Sequence, residues 1–463
     1  GAIPERVQVF MQDVERQLYK LGIPAKTRHN EVAPGQFEIA PFHEAANVAT
    51  DHQQLTMTVL RNTAKKHGFS CLLHEKPFAG VNGSGKHVNW SIGNATQGNL
   101  LDPGKTPHDN LQFLLFCGAV IRGVHRFGPL LRSVVATAGN DHRLGANEAP
   151  PAIISMYLGS QLEDVFNQIR EGRPQGSSSA GVMRLGVDTL PEFTIDPGDR
   201  NRTSPFAFTG NRFEFRAVGS NQSVAGPLVA LNTILADSLE WMASQLEQHL
   251  QQGAALNDAA FAVLQQVMRE HGAVVFGGDG YSAEWHRIAV EERGLENLRT
   301  SADALPVLKR PEVRELFERQ GVLSPVELES RFAVYAEQYV LAIEVEAKLA
   351  LQMARTQVYP AAVRYLGELA KALQEQQAMG LQPSLAVRNQ LAELLHQLND
   401  GCDALEQALA ATPHAHGEAQ LRHCADQLMP RLQQLRQAVD GLEGVVDDAL
   451  WPLPSYQEML FVR

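Results

Sequence analysis

Hydrophobic positions near the start of the chain recur first at helical spacing and then at strand spacing. Residues 4–21 carry an apolar stripe with a period of about 3.6, which predicts a helix that starts at Pro4 and stops at Gly22. The stripe consists of Val7, Met11, Val14, Leu18 and Leu21. The stretch 26–40 alternates apolar and polar residues and predicts two short strands around a Pro34-Gly35 turn.

The rest of the chain divides into a mixed part and a helical part. Further apolar periodicity predicts helices over 45–67, 109–127 and 227–251. Residues 171–205 are rich in Gly, Ser and Pro, which indicates loops with one short strand near Phe193. From about residue 255, strand signals vanish and leucines keep the spacing of a helix packed on helices. These patterns predict a mixed domain over 1–254 and a helical domain over 255–463, the latter a bundle without chemistry or a part that forms oligomers.

Composition narrows the class of protein. The chain has 463 residues, with 40 Lys and Arg against 52 Asp and Glu, a net charge of −12 that argues against nucleic acid and anionic membranes as partners. It has no run of about 18 apolar residues and no secretion signal, so we expect no membrane span. Its four cysteines lack a CxxC pair, which favours reduced thiols and a cytoplasmic location. The start at Gly1 leads directly into a helix, as if the chain continued a longer one.

Three alternating segments carry the candidate chemistry. In 36–40, 86–92 and 212–216, one face is apolar and the other presents charged or polar side chains. The polar faces, together with the nearby Glu31, supply Glu31, Glu38, His87, Glu214, Arg212 and Arg216. In the simplest interpretation, these polar side chains lie on a sheet face that is exposed to solvent and have no function. Three glutamates with one imidazole also suit Mg²⁺ or Mn²⁺, and the arginines suit phosphate or carboxylate groups.

Three loops extend this set of candidates. Residues 80–86 fit GxxxxGK, but His87 replaces the hydroxyl residue of a P-loop and a strand follows instead of a helix. We therefore expect a Gly-rich turn that approaches a ligand closely, and no P-loop. The loops 142–150, with Arg143 and Glu148, and 199–204, with Arg200 and Arg202, are each either solvated or functional.

Five ordered motifs make the sequence resemble glutamine synthetase along essentially its whole length. They are Asn30-Glu31-Val32-Ala33-Pro34-Gly35-Gln36-Phe37-Glu38, Lys76-Pro77 with Asn82-Gly83-Ser84-Gly85-Lys86-His87, Glu148-Ala149-Pro150, Asn201-Arg202-Thr203 and Phe213-Glu214-Phe215-Arg216. The helical tail and Trp451-Pro452-Leu453-Pro454 are similar to the large type III branch. The fold expected from this resemblance is α+β, with an antiparallel, curved, half-barrel-like sheet flanked by helices and an all-α C-terminal region.

The resemblance implies ATP-dependent ligation of ammonia to L-glutamate through a γ-glutamyl phosphate, with two or more Mg²⁺ or Mn²⁺ ions per site. The implied metal ligands are Glu31, Glu38, His87 and Glu214. The implied glutamate-binding residues are Asn82, Gly83, Arg143 and Arg216. The implied ATP-binding residues are Asn89, Ser91, Arg202 and Arg212, and Glu148 and Arg202 would act in catalysis. It also implies a homo-oligomer of hexameric rings stacked to a dodecamer.

The sequence departs from the family pattern at three places, the first of which is a spacing between Arg143 and Glu148 that is one residue shorter than in the smaller type I enzymes. The second phosphate-binding Arg expected after Arg202 falls near Ala207 and is absent, and no N-terminal β-grasp domain or ExE strand precedes the first helix. We therefore expect an N-terminally incomplete catalytic domain over 1–254 and weak or no activity of the chain alone. Two alternatives stay open, a γ-glutamyl-amine ligase of the same superfamily and a truncated, non-catalytic scaffold that forms oligomers.

Overall fold

The structure, a computed structural model, forms two compact units. They comprise residues 1–329 and residues 330–463. The structure describes residues 2–172 apart from 77, 79 and 146, the strands at 182–183 and 193–194, and residues 203–460 apart from 415 and 416. The domain boundary predicted at 254/255 stays a prediction.

The strands described in the first unit form one four-stranded sheet and three two-stranded ones. The strands are β1 (Ala25–Asn30), β2 (Phe37–Pro41), β3 (Lys86–Trp90), β4 (Gly93–Asn94), β5 (Gly98–Asn99), β6 (Met156–Tyr157), β7 (Val182–Met183), β8 (Phe193–Thr194), β9 (Phe206–Phe208) and β10 (Phe213–Val218). The larger sheet has the order β3-β10-β9-β6, and the small sheets pair β1 with β2, β4 with β5 and β7 with β8. The strand predicted near Phe193 is confirmed as β8.

The predicted α+β class is confirmed, but the predicted sheet is only partly antiparallel. β10 pairs antiparallel with β3 and β9, whereas β6 pairs parallel with β9. Strand β2, which carries Glu38, pairs with β1 in a separate hairpin outside this sheet. The half-barrel curvature stays a prediction.

Helices make up much of the first unit and most of the described part of the second. Those within the first unit are α1 (Glu5–Lys20), α2 (Ala46–Lys66), α3 (Leu111–Ser133), α4 (Ala138–Arg143), α5 (Ser160–Glu171), α6 (Ala225–Gln251), α7 (Leu256–His271), α8 (Ala283–Glu291), α9 (Ser301–Ala304) and α10 (Pro311–Arg319). The remaining ones are α11 (Pro325–Met353), α12 (Tyr359–Ala378), α13 (Ala386–Ala410), α14 (Glu418–His423), α15 (Met429–Glu443) and α16 (Tyr456–Leu460).

The first helix shows how closely the apolar stripe determines packing. Val7, Met11, Val14 and Leu18 are all buried, as their spacing predicts. Leu21 was expected to belong to the stripe but is 53% exposed, because the helix ends at Lys20. Gly22 follows with φ of +75°, a left-handed conformation that glycine adopts without strain and that stops the helix.

The long helix α3 is the apolar centre of the first unit. It is long and apolar enough to cross a membrane by length and composition alone, but 72% of that window is buried inside the protein. The helix was predicted to end at Phe127 but continues to Ser133. Pro129 explains the discontinuity, because it lacks an N–H donor and its ring crowds the preceding turn, and Phe127 is non-helical there.

The second unit is helical throughout its described part, as predicted. Leu421, Leu428, Leu435 and Leu442 are buried, and α15 packs on α13. A π-helical turn precedes α12 and another precedes α15, with Pro360 and Pro430 at the second position after each turn. A wider turn accommodates a proline in a continuous helical run because it relieves the clash with the preceding carbonyl.

Candidate metal and substrate site

The β1–β2 hairpin places three metal-ligand side chains at one point. His29 lies opposite Glu38 in the antiparallel register, and Glu31 directly follows β1. His29 Nε2 is 3.0 Å from Glu31 Oε1 and 3.1 Å from Glu38 Oε2. The ligand atoms of all three side chains lie within 4.8 Å of one another. One cation could therefore contact all three.

The turn between the two strands brings Glu31 back beside Glu38. The Glu31 N–H donates to the Gln36 carbonyl at 3.0 Å, which closes the turn. Gly35 has φ of +66°, so the Pro34-Gly35 pair forms the predicted turn with glycine where the left-handed conformation requires it. Sequence reasoning missed His29, although its position two residues before Glu31 was a usable signal.

The electrostatics of this hairpin favour a bound cation. Burial raises the pKa of Glu38 to about 7, and the hydrogen bond and charge of Glu31 and the charge of Glu214 add to the rise, while His29 opposes it. A cation bound between these carboxylates would relieve their mutual repulsion and favour their ionised forms. A donor set of carboxylate oxygens with one imidazole fits a divalent cation of the Mg²⁺ or Mn²⁺ type.

The strands β3 and β10 hold the second group of predicted ligands. His87 Nδ1 lies 3.3 Å from Glu214 Oε1, and Glu214 is only 5% exposed. Arg216 Nε and an NH2 proton donate to Glu214 Oε2 at 3.1 and 3.0 Å. Burial alone would raise the pKa of Glu214, but His87 and Arg216 outweigh it and lower that pKa to about 2. Glu214 is therefore a fixed anion beside the hairpin.

The simple interpretation of a solvated sheet face fails for β10. All six of its residues are buried, so the charged face is covered as well as the apolar one. On β3 the predicted alternation is confirmed, with Val88 and Trp90 buried and His87 and Asn89 exposed. A strand that buries Glu214 must pair that charge, and Arg216 does so.

The Gly-rich loop is fixed to the hairpin by a side-chain amide. Gln36 Nε2 donates to the Ser84 carbonyl at 2.9 Å, and the Ser84 N–H donates to Gln36 Oε1 at 3.0 Å. Gly83 is required by a close approach, because a Cβ there would lie 2.0 Å from the Glu75 carbonyl oxygen. At Gly85 a Cβ would lie 2.6 Å from an Arg143 nitrogen. These glycines permit close packing of protein groups.

The lysine of the GxxxxGK sequence is used inside the protein. Lys86 Nζ donates to the carbonyls of Gly219 and Gln222 at 3.1 and 3.0 Å, and also to the Ser220 carbonyl. Burial lowers the pKa of Lys86 to about 8. The loop leads into strand β3 rather than into a helix, so the rejection of a P-loop is supported on both counts.

A buried carboxylate beneath this loop was missed by the sequence analysis. Glu75 is 2% exposed, accepts a hydrogen bond from the Ser220 backbone N–H and interacts electrostatically with Lys86 and Arg143. Its position directly before Lys76-Pro77 was the only signal in the sequence. Glu75 balances the charges of the half-buried Lys86 and the buried Arg143 and so keeps them in place.

Arg143 lies behind the site rather than in a flexible loop. It belongs to the last turn of α4 and is 1% exposed. Its guanidinium donates to Asn140 Oδ1 at 3.1 Å, to the Val218 carbonyl at 3.0 Å and to the Arg216 carbonyl at 2.5 Å. Burial lowers the pKa of Arg143 to about 10. In this arrangement it holds β10, and its role in glutamate binding stays a prediction.

The segment with Glu148 closes over the Gly-rich loop. Asn147 and Glu148 have φ of +49° and +71°, left-handed conformations that non-glycine residues rarely adopt. The Gly83 N–H and Lys76 Nζ both donate to the Asn147 carbonyl, at 3.3 and 2.5 Å. Tyr281 interacts with Glu148 from the side of the helical region, where no chemistry was expected.

The predicted nucleotide-side residues share the exposed end of β3 and β10. Arg212 Nε donates to Asn89 Oδ1 at 3.0 Å, and Ser91 is exposed just after β3. Arg202, predicted for catalysis and ATP binding, lies outside the described residues. The next residue, Thr203, is described and accepts a hydrogen bond from the Gly280 N–H at 2.8 Å.

The structure therefore unites most, but not all, of the predicted residues. Glu31, Glu38, His87, Glu214 and Arg216 come together where the hairpin meets the sheet. Asn82 and Gly83 belong to the adjoining loop, with Glu148 across from it. Such a site, with cation ligands and arginines around anionic groups, is typical of metal-dependent proteins that handle phosphate.

Comparison with known families agrees with a metal-dependent protein that handles phosphate and identifies its family. Residues 3–146 match the model described as "Glutamine synthetase, catalytic domain", and residues 259–377 match "Glutamine synthetase C-terminal domain". The chain belongs to the glutamine synthetase family.

Relatives match the chain along its whole length. A "Type-3 glutamine synthetase" of Dictyostelium discoideum is 43% identical over 100% of this chain and 64% of its own length. A "Glutamine synthetase" of Bacteroides fragilis is 38% identical over 100% of this chain and 65% of its own. The resemblance to the type III branch is thus confirmed, and the chain spans slightly less than two thirds of these relatives. A solved structure titled "Apo GmaS without ligand" aligns at 18% identity and a TM-score of 0.41, covering 71% of this chain and 59% of that one, a likeness too weak to bear on function.

Proposed function

We propose that the protein joins ammonia to L-glutamate at the expense of ATP and releases L-glutamine, ADP and phosphate. One observation carries the proposal: the acidic hairpin of His29, Glu31 and Glu38 lies beside the fixed anion Glu214 on a different sheet. Two neighbouring groups of carboxylates with imidazoles suit a pair of divalent cations around a phosphate chain. The family membership supports the same reaction.

In this proposal His29, Glu31 and Glu38 hold one cation, and His87 and Glu214 hold another, as Mg²⁺ or Mn²⁺. When bound, the cations supply positive charge that neutralises ATP and the transferring phosphoryl group. His87 and Arg216 keep Glu214 ionised through their hydrogen bonds and charges. The chain thus holds Glu214 in its charged form before substrates arrive, whereas the raised pKa of Glu38 means that a bound cation would favour its charged form.

The remaining residues would bind substrates and exclude water. Asn82 and Gly83 bind glutamate at the Gly-rich loop, while Asn89, Ser91, Arg202 and Arg212 bind ATP. The glutamate γ-carboxylate attacks the γ-phosphorus and ADP leaves; ammonia then attacks the acyl carbon and phosphate leaves. Glu148 accepts the proton that ammonium must lose. A segment that closes over the loop would protect the acyl phosphate from water.

In the same proposal, the protein is cytoplasmic and works as a homo-oligomer of hexameric rings stacked to a dodecamer. The acidic net charge of −12 is compatible with a soluble enzyme that attracts cations. Glutamate, ammonia and ATP are its partners, without nucleic acid or membrane.

The test is a steady-state assay of the protein expressed from its complete gene, with ammonium compared against methylamine and a polyamine. We expect ATP-dependent glutamine formation and a clear preference for ammonium. Glu214→Gln should abolish activity, whereas Glu318→Gln, at an exposed position on α10, should leave it unchanged. Preference for a larger amine would assign the protein to the γ-glutamyl-amine ligases. Absence of binding of Mn²⁺ and ATP in calorimetry would favour the scaffold.

A further inference from the structure

We propose that Lys76 is a positioning residue that ties the glutamate-binding loop to the segment carrying Glu148. The inference rests on the function proposed above, for which Glu148 must be held over the bound glutamate. Lys76 belongs to the Lys76-Pro77 motif, to which the sequence analysis gave no role.

The ammonium group of Lys76 bridges two backbone segments that are distant in sequence. Its Nζ donates to the Val81 carbonyl at 2.8 Å and to the Asn147 carbonyl at 2.5 Å. The Asn147 carbonyl also accepts from the Gly83 N–H at 3.3 Å. One carbonyl thus receives a charged donor and a backbone donor, both from the neighbourhood of the loop predicted to bind glutamate.

The segment held in this way has an unfavourable backbone conformation. Asn147 and Glu148 both have positive φ, at +49° and +71°. Side chains other than that of glycine destabilise this conformation, which persists only where surrounding contacts enforce it. Contacts that enforce it include the Lys76 and Gly83 bonds to Asn147, a bond from the Gly145 N–H to the Pro150 carbonyl at 2.9 Å, and a hydrogen bond between Tyr281 and the Glu148 backbone.

Charge reinforces the geometry. Lys76 is half-buried, and burial lowers its pKa, whereas the Glu148 carboxylate opposes that lowering and Arg143 adds to it. The Lys76 cation therefore attracts Glu148 while its hydrogen bonds fix the preceding residue. The Asn147 carbonyl accepts from both Lys76 and Gly83. Binding of glutamate at Gly83 would therefore shift Asn147, and with it the orientation of Glu148.

A plain structural role for Lys76 makes a different prediction from a positioning role. Loss of a structural contact would lower stability and activity together. Loss of positioning would open the segment, so that water competes with ammonia for the γ-glutamyl phosphate. Phosphate would then be released without glutamine, although the protein stays folded.

The experiment compares Lys76→Met and Lys76→Arg with the matched control Lys65→Met, at an exposed lysine on α2. All are made in the protein expressed from its complete gene. Hydrogen exchange is measured without substrates on peptides covering 80–87 and 147–150, and the ratio of phosphate to glutamine is measured at saturating substrates.

We expect Lys76→Met to exchange about tenfold faster in both peptides, the size of effect expected when one charge-assisted hydrogen bond is lost. Its ratio of phosphate to glutamine should rise at least about fivefold, because the acyl phosphate is exposed to water. Lys76→Arg, which keeps the charge and the donors, should restore both quantities to within about twofold of the wild type. The Lys65→Met control should match the wild type.

Unchanged exchange and an unchanged ratio in Lys76→Met would overturn the inference, as would a loss of glutamine formation with the ratio kept at one. If Lys76→Met does not fold, Lys76→Gln replaces it in the same comparison. If the wild type forms no glutamine, the proposed function fails, and the exchange measurement alone decides whether Lys76 ties the two segments.

Discussion

Replacement of Glu214 by Gln perturbs a single charge at the meeting point of the hairpin and the sheet. The side chain keeps its shape but loses the charge that pairs with His87 and Arg216. Since Glu214 is only 5% exposed and Arg216 only 4%, water cannot replace the lost partner. The variant therefore leaves a buried guanidinium without its anion.

The size of the effect follows from the pKa of Glu214. The surroundings lower it from 4.5 to about 2, a difference that corresponds to about 3 kcal/mol of folding free energy at pH 7. Because the folded pKa lies below the unfolded value, this stabilisation is complete above pH 4.5 and is lost as the pH falls towards 2. The difference between wild type and variant should shrink over the same interval.

Urea unfolding at pH 7 measures this effect directly, with Glu318→Gln as the matched control at an exposed position. We expect Glu214→Gln to lower the free energy of unfolding by about 3 kcal/mol and the control by less than about 0.5 kcal/mol. A change below about 0.5 kcal/mol in Glu214→Gln, or one that persists unchanged at pH 3, would refute the pairing with His87 and Arg216 as the source of the low pKa.

Three further changes test other parts of the site. Glu38→Gln relieves carboxylate crowding at a side chain that is 45% exposed. Without metal, this change should stabilise the fold at pH 8 by up to about 1 kcal/mol after solvent screening. Calorimetry should show that the variant binds Mn²⁺ at least about tenfold more weakly, and unchanged affinity would contradict the hairpin as a cation site. Gly83→Ala places a Cβ 2.0 Å from the Glu75 carbonyl oxygen, and thermal unfolding should show a loss of about 2 kcal/mol or more; a neutral result would mean that the loop is not packed as described. Lys86→Met removes the donor to three carbonyls of residues 219–222, so urea unfolding should show a loss of about 2 kcal/mol relative to the control Lys65→Met. Equal stability of the two variants would contradict the role of Lys86 as a structural hydrogen-bond donor.

Local patterns predicted the elements that depend on local physics. The stripe of α1, the turn at Pro34-Gly35 and the alternation of β3 are confirmed because burial of one face and a turn residue suffice to specify them. The end of α1 was placed one residue too late because Leu21 is apolar, although a helix terminus is set by Gly22.

Features that depend on distant contacts were missed. Burial of both faces of β10 arises from what packs on the sheet, which alternation along one strand does not reveal. The role of Glu75 follows from contacts that the sequence does not show: the loop at Gly83 packs on its backbone carbonyl, and the Ser220 N–H donates to its carboxylate. The parallel pairing of β6 with β9 and the bridge from Met156 to Val275 likewise join segments far apart in sequence.

We propose that this site makes an amide bond between glutamate and ammonia. The most direct measurement follows isotope-labelled ammonium by NMR during incubation of the protein, expressed from its complete gene, with ATP, Mg²⁺ and L-glutamate. We predict that the label appears in the side-chain amide of glutamine, with one ADP formed per amide and no product from the Glu214→Gln variant. ATP turnover without labelled glutamine, or labelled glutamine formed equally by the variant, would contradict the account.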